Sequence, residues 1–258
     1  MPAEHPSKRT KYARSSLSTT AKNMAPVACM FEGVTFREHV DTKVLQQLRP
    51  QLRPHAEDWE VDQNRPAEHT HLTKWLRYIK KNTATVKYKR SKLKWGRVLP
   101  VGSRSLGSIR CAVRGAICGD NYTDIDATNC HPVMLRQICQ ALDIPCAALS
   151  HYVDNRADCL AQVQAMYREG IDAATAYKSS KTLFIKIMYG GQPHAHKDLL
   201  KEPDASLPAC ATNLASDITH ISRCLQHFNP QMAADLKKVR KKTYNWDGSF
   251  LSYYCQEW

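Results

Sequence analysis

Acidic residues are absent from His69 to Gly119. The same span holds thirteen basic ones: Lys74, Arg77, Lys80, Lys81, Lys87, Lys89, Arg90, Lys92, Lys94, Arg97, Arg104, Arg110 and Arg114. Trp75, Tyr78, Tyr88 and Trp95 are interleaved with them. A chain with net charge +13 and one-signed charge over such a span has the footprint of a polyanion-binding surface. The plain alternative is a solvated basic face, and the complete lack of acids argues against it. Other absences narrow the class further. The ten cysteines contain no Cys-x-x-Cys pair, which excludes an ordinary zinc ribbon or finger. Most sit among apolar neighbours, as reduced buried thiols do, so an intracellular setting, nuclear or cytoplasmic, is expected. No apolar run approaches the ~20 residues of a membrane span, and no secretory signal pattern opens the chain, so no membrane partner is expected.

What is present divides the chain into three. Residues 1–25 are rich in Ser, Thr, Lys and Arg and read as a disordered basic arm, with 7–14 (SKRTKYAR) as a weak import or nucleic-acid patch. Residues 26–95 read as a basic, helical N-terminal region. It has a short helix over 40–48, stopped by Pro50 and Pro54, and a second over 71–81 with Leu72, Trp75, Leu76 and Ile79 on one face. Glycines at 96, 102, 107, 115 and 119, with Pro100, predict turns and short strands over 96–119. Residues 121–129 alternate like a short strand. Pro132 suits the first turn of a helix to about Leu142, and further helical patterns cover 155–168, 172–189, 209–227, 231–242 and 249–257. The expected fold class is mixed α/β of the α+β kind, predominantly helical.

Two short segments carry chemistry. Residues 178–191 (KSSKTLFIKIMYGG) read as one helix bearing Lys181 and, two turns on, Tyr189, followed at once by Gly190. At about 1.5 Å rise per residue, the lysine and the tyrosine project from nearly the same face roughly 12 Å apart. An ammonium and a ring so held can meet the two ends of a nucleotide. The plain alternative is an amphipathic core helix built on Leu183, Phe184, Ile187 and Met188. The other segment, Asp124-Ile125-Asp126, places two carboxylates on one side of a strand. Mg²⁺ takes oxygen ligands, usually one or two carboxylates with substrate phosphates. A turn cap or an arginine partner is the alternative for either aspartate.

These blocks, in this order, resemble family A DNA polymerases over roughly residues 95–258. Gly96-Arg97 followed by 105–117 (SLGSIRCAVRGAI) resembles the stretch that leads into the catalytic strand. Asp126-Ala-Thr-Asn-Cys-His131 is similar to motif A, and Lys181-x-x-x-Ile185-x-x-x-Tyr189-Gly190 to motif B, the fingers helix. Gln256, with Ser252 one turn before it, resembles the later template-contacting helix. The variant also looks like divergent polymerase-like proteins of large viruses and mobile elements. The resemblance implies a partial right-hand palm and fingers over 96–258, with 26–95 in a thumb-like place. It implies Mg²⁺ at Asp126, with Asp124 beside it, and catalytic roles for Asp126 and Lys181. Deoxynucleoside triphosphates and a DNA primer-template would be the partners. Tyr189, Gly190, His131, Ile185, Arg110, Arg114 and Gln256 would contact nucleotide or template. Lys87, Lys89, Arg90, Lys92, Lys94 and Arg97 would grip the nucleic-acid backbone.

The chain departs from the family pattern at several points. His131 stands where the family has its sugar-selecting carboxylate, Ile185 where it has an aromatic, and Tyr177 where it has an arginine one turn before the motif B lysine. Motif C, which supplies the second metal-binding acid, is not found up to Trp258. The resemblance therefore implies a missing C-terminal part or a second subunit, and little synthesis by this chain alone. A non-catalytic nucleic-acid-binding protein of polymerase shape is the rival reading. A remote third is a nuclease using the His194-Ala195-His196 pair.

Overall fold

The computed structural model describes residues 31–51, 68–90, 94–103, 105–123, 125, 127–191, 199–202, 205–239 and 246–257. The described residues fall into two compact units: those within Pro26–Thr128, Pro230–Thr243 and Ser249–Trp258, and those within Asn129–Asn229 and Tyr244–Gly248. The 1–25 arm, Pro54, Arg104, Lys92, Asp124, Asp126 and the His194/His196 pair lie outside the described residues.

The first unit contains strand β1 (Thr35–His39) and helices α1 (Thr42–Gln51) and α2 (Glu68–Leu76). Strands β2 (Ile79–Lys80), β3 (Thr83–Lys89) and β4 (Leu99–Pro100) and helix α3 (Cys111–Cys118) follow. Strand β3 pairs antiparallel with each of the other three. Its sequence TATVKYK alternates, and burial follows: Ala84 and Val86 go inward while Thr85, Lys87 and Lys89 are exposed. The turn between β2 and β3 is Lys81-Asn82, both at positive φ (50° and 59°), as a two-residue type I′ hairpin requires. The buried face of the sheet joins a core of Leu45, Leu72, Trp75, Val113 and Ile117. Helix α1 is started by the Asp41 carboxylate, which accepts from Lys43 N (2.9 Å) and Val44 N (3.0 Å).

Several sequence expectations are corrected in this unit. Helix α1 runs through Pro50 to Gln51. A proline in the last turn removes one backbone bond and does not force an earlier stop. The helix expected to Lys81 ends at Leu76, because Ile79 and Lys80 pair with Ala84 and Thr83. The described residues of 26–95 are thus mixed α and β rather than helical. Turns were expected throughout 96–119, yet α3 forms there. Val113 and Ile117, one turn apart, go into the core, while Gly115 stands on the exposed side. No strand occurs among the described residues of 121–129, and Ile125 is 88% exposed.

The second unit is helical: α4 (Cys130–Ala141), α5 (Ala147–Asp154), α6 (Arg156–Gln164), α7 (Ala173–Met188) and α8 (Ala209–Phe228). Helix α8 buries Leu214, Ile218, Ile221 and Leu225, a stripe at 3.6-residue period, and packs on α5 and α7. Its Asp217 accepts from Ala148 N (2.7 Å) and Leu149 N (3.1 Å), capping α5, a helix not foreseen in the sequence. Helix α9 (Pro230–Val239) belongs to the first unit, as does most of α10 (Trp246–Glu257). The division near residue 128, and the return of 230–239 and 249–257 to the first unit, differ from the boundary at 95. Long-range packing decides them, and local pattern does not report it. The described part is mostly helical with one small antiparallel sheet, an α+β arrangement. No described helix is long and apolar enough to cross a membrane. The nine described cysteines are free thiols.

Candidate functional site

Helix α7 begins at Asp172, whose extended backbone (φ −64°, ψ 151°) frees its carboxylate to accept from Thr175 N at 2.9 Å. Hydrogen bonding from Thr175, its side chain first and then this N–H, holds the carboxyl below its usual range. The helix then sorts its side chains. Ser180, Leu183, Phe184, Ile187 and Met188 are buried. Tyr177, Lys178, Lys181 and Ile185 are exposed, with Tyr177 45% and Ile185 47% open. The core-helix expectation thus holds for one face. The motif residues lie on the other, where core packing does not account for an open isoleucine between Lys181 and Tyr189.

The end of α7 explains its two glycines. Gly190 sits at φ 66°, and its N–H donates to Ile187 O (2.9 Å), while Gly191 N donates to Lys186 O (2.7 Å). This is a Schellman cap, which favours glycine at the left-handed position. A Cβ on Gly191 would come 2.8 Å from Lys186 O. Gly190 thus has a structural role: directly after the C-cap Tyr189, it closes the cap that ends the helix at Met188 and so fixes where that ring stands.

Tyr189 is half-buried, and its hydroxyl is hydrogen-bonded to His131 Nδ1. The two rings meet edge to face, centroids 5.7 Å apart at 80°. His131 is in the first turn of α4, behind Asn129 at φ 56°. Two residues 58 positions apart, singled out separately in the sequence, are therefore in contact.

The open face of α7 also receives a residue that the sequence did not single out. Arg156, at the start of α6, lies beside both Tyr177 and Tyr152 and interacts electrostatically with each phenol. The Arg156 guanidinium beside it, and after that Lys181, hold the Tyr177 phenol below its usual value. Burial pushes Tyr152 the other way, with Arg156 opposing. Tyr152 in turn stacks on Phe184 at 4.6 Å and 19°. This chain of contacts brings Arg156, Lys178 and Lys181 to the side of α7 that carries Tyr177. No linear motif signals Arg156, because it comes from another helix.

The remaining candidates are in the first unit. Arg110 is exposed just before α3. Arg114, one turn later and half-buried, donates to Ile109 O at 3.4 Å. Gln256 donates to Ser252 Oγ at 3.1 Å across one turn of α10. Gly96 at φ 80° packs against this helix: an added Cβ would lie 2.6 Å from the Tyr253 ring and 3.5 Å from Gln256 Oε1. The Gly96 N–H donates to the buried Glu257 carboxylate at 2.8 Å. Glu257 also holds Arg90 Nη1 at 2.7 Å, while the Arg90 Nε lies 3.4 Å from Glu32. Arg90, expected on the nucleic-acid backbone, is instead a buried clamp with its side chain 9% exposed. Its charge is neutralised locally because a buried cation needs a partner. Lys87, Lys89, Lys94 and Arg97 are exposed, as a binding surface requires. Among the described residues, no group of three or more His, Cys, Asp or Glu is placed to hold a metal ion.

No family model and no solved structure gives a significant match to the chain. A protein of Sputnik virophage named "Putative helicase V13" is 35% identical over 187 residues, which cover 61% of this chain. The chain spans 24% of that protein's length.

Proposed function

We propose that the open face of α7 binds a nucleoside triphosphate, as part of a polymerase-like protein that carries out template-directed nucleotidyl transfer on DNA. The observation that carries this reading is the contact between His131 and Tyr189, beside a helix face that presents Lys181. Both residues fall at nucleotide-contacting positions in the motif pattern, and their hydrogen bond supports treating them together. Lys181, Lys178 and Arg156 supply the positive charge that a triphosphate needs, and a guanidinium can hold phosphate oxygens through two parallel bonds. Preorganised charge of this kind stabilises the charge that develops during phosphoryl transfer. The ring of Tyr189, steadied by His131 and ended by Gly190, offers an aromatic plane for a base. Ile185 gives the apolar wall between them.

The wider reading assigns Mg²⁺ to Asp126 and Asp124, with motif C on a further part or a second subunit. The virophage relative, whose name calls it a helicase, supports a viral, nucleic-acid-related setting for the chain.

The test is titration of the chain with fluorescent deoxynucleoside and nucleoside triphosphates in the presence of Mg²⁺. Lys181→Ala should raise Kd at least tenfold. Tyr189→Ala should do likewise, while Tyr189→Phe, which keeps the ring, should stay within threefold. Equal binding by wild type and Lys181→Ala would overturn the site. Primer extension separates the two readings of the whole chain. Nucleotide-dependent extension supports the enzyme, and salt-sensitive DNA binding without nucleotide binding supports the non-catalytic protein.

A further inference from the structure

The sheet of the first unit has two faces of opposite character. Strand pairing sets Thr35 opposite Lys87, Arg37 opposite Thr85 and Lys80 opposite Thr83. Directly paired residues share a face, and the period of two adds Lys89 to it. Arg37, Lys80, Lys87 and Lys89 therefore stand together, and all four are exposed. His39, also exposed, completes the row on β1. On the other face, Ala84 and Val86 are 2% exposed and join the core. The acid of these strands, Glu38, points that way too. It is 8% exposed and accepts from Ser105 Oγ (2.7 Å), Tyr88 Oη (3.0 Å) and Leu106 N (2.7 Å). The acid within these strands is thereby turned inward, away from the open face.

We propose that this open sheet face binds the phosphate backbone of double-stranded DNA without reading its sequence. Like charges side by side on one sheet face repel one another, so the arrangement has a physical use only with a polyanion to neutralise it. Lys87 and Lys89 stand about 7 Å apart along β3, and Arg37 lies at a similar diagonal distance from Lys87 across the β1–β3 pair. The threonines between them, at 35 and 85, add hydroxyls that hydrogen-bond phosphate oxygens. The strand residues on this face include no Phe, Tyr or Trp. Phe36 and Tyr88 belong to the opposite set and meet each other edge to face at 5.4 Å. Single-strand binders add aromatic platforms on which bases stack. A face with cations and hydroxyls but no such platform fits the outside of a duplex. This inference deepens the nucleic-acid part of the proposed function and stands apart from its nucleotide site. It adds Arg37 and Lys80 to the backbone contacts and leaves out Arg90.

The experiment measures binding of the full chain to fluorescent duplexes of about 25 base pairs and of unrelated sequences, from 50 to 200 mM salt. With four phosphate contacts, log K should fall with log salt at a slope steeper than wild type minus three contacts by about 2.7, since each contact contributes about 0.9. The Arg37→Gln/Lys87→Gln/Lys89→Gln variant should therefore lose at least tenfold in affinity and show that shallower slope on every sequence. A matched variant in the second unit, Arg168→Gln/Lys201→Gln/Arg223→Gln, removes three exposed charges elsewhere and should stay within threefold. Equal losses in the two variants would overturn the face in favour of general charge. A tighter, equally affected complex with single strands would overturn the duplex assignment. Unfolding midpoints of both variants, expected to match wild type, keep a folding defect from imitating the result. Retained duplex binding in Lys181→Ala shows that the two proposals fail or stand separately.

Discussion

The contact between His131 and Tyr189 can be measured as a coupling energy. Tyr189→Phe deletes the hydroxyl bonded to His131 Nδ1 and keeps the ring. At a half-buried position the loss is about 1 kcal/mol, the usual net worth of one hydrogen bond. His131→Ala removes that bond together with the edge-to-face ring contact at 5.7 Å and 80°. The ring contact contributes about 0.5–1.5 kcal/mol, so this variant should lose about 2 kcal/mol. In the His131→Ala background this bond is already gone, so Tyr189→Phe should cost less there than in the wild type by about the worth of that bond. The two changes therefore couple by about 1 kcal/mol. Urea unfolding followed by circular dichroism gives each corner of the cycle, with the slope m required to stay constant across all four proteins. If the double variant loses the sum of the single losses within about 0.3 kcal/mol, the two residues act independently. The argument that joins them into one site then fails.

Three other outcomes follow from particular contacts. Gly96→Ala places a Cβ 2.6 Å from the Tyr253 ring at a residue with φ 80°; strain and overpacking together should cost about 2–4 kcal/mol in urea unfolding, and a loss under about 0.5 kcal/mol would contradict the close packing. Glu38→Ala takes the acceptor from the Leu106 N–H and from one of the Ser105 and Tyr88 hydroxyls, which keep only one bond between them, and should lose about 2–4 kcal/mol, whereas Glu38→Gln keeps one acceptor oxygen and fits the rotating hydroxyls, so it should lose about 1 kcal/mol; equal losses would show that shape alone matters there. Burial, then the neighbouring Cys210, pushes the Cys159 thiol up to about 12, so at pH 8 iodoacetamide should label exposed Cys111 well before Cys159, as read by peptide mass spectrometry.

Helix periodicity was legible where a helix buries one stripe. The α4, α7, α8, α9 and α10 segments appear close to their expected bounds, because apolar side chains at 3.6-residue spacing have no other way to leave water together. The strand pairing of β1 was not legible: TFREH carries one buried residue, and its partner lies some fifty positions on. Helix α3 was hidden by Gly115, which suits an exposed helical position as well as a turn. The candidate site divides in the same way. Lys181, Tyr189 and Gly190 could be read from one helix, while Arg156 could not, since only the packing of α6 on α7 brings it to Tyr177. Arg90 shows the converse error. A basic residue in a basic run looks like a surface contact, and it is buried because Glu257, far along the chain, folds back onto it.

The sequence by itself determined that this protein carries an excess of positive charge in one segment and a helix whose polar side bears Lys181. Both are properties of composition and short-range spacing. Tertiary structure alone decided which of those charges face water. Strand register turned Glu38 inward and left Arg37, Lys80, Lys87 and Lys89 on one open face. Helix packing joined His131 to Tyr189. Whether a charge is available to a ligand depends on burial and partners, and both are set by residues distant in the chain.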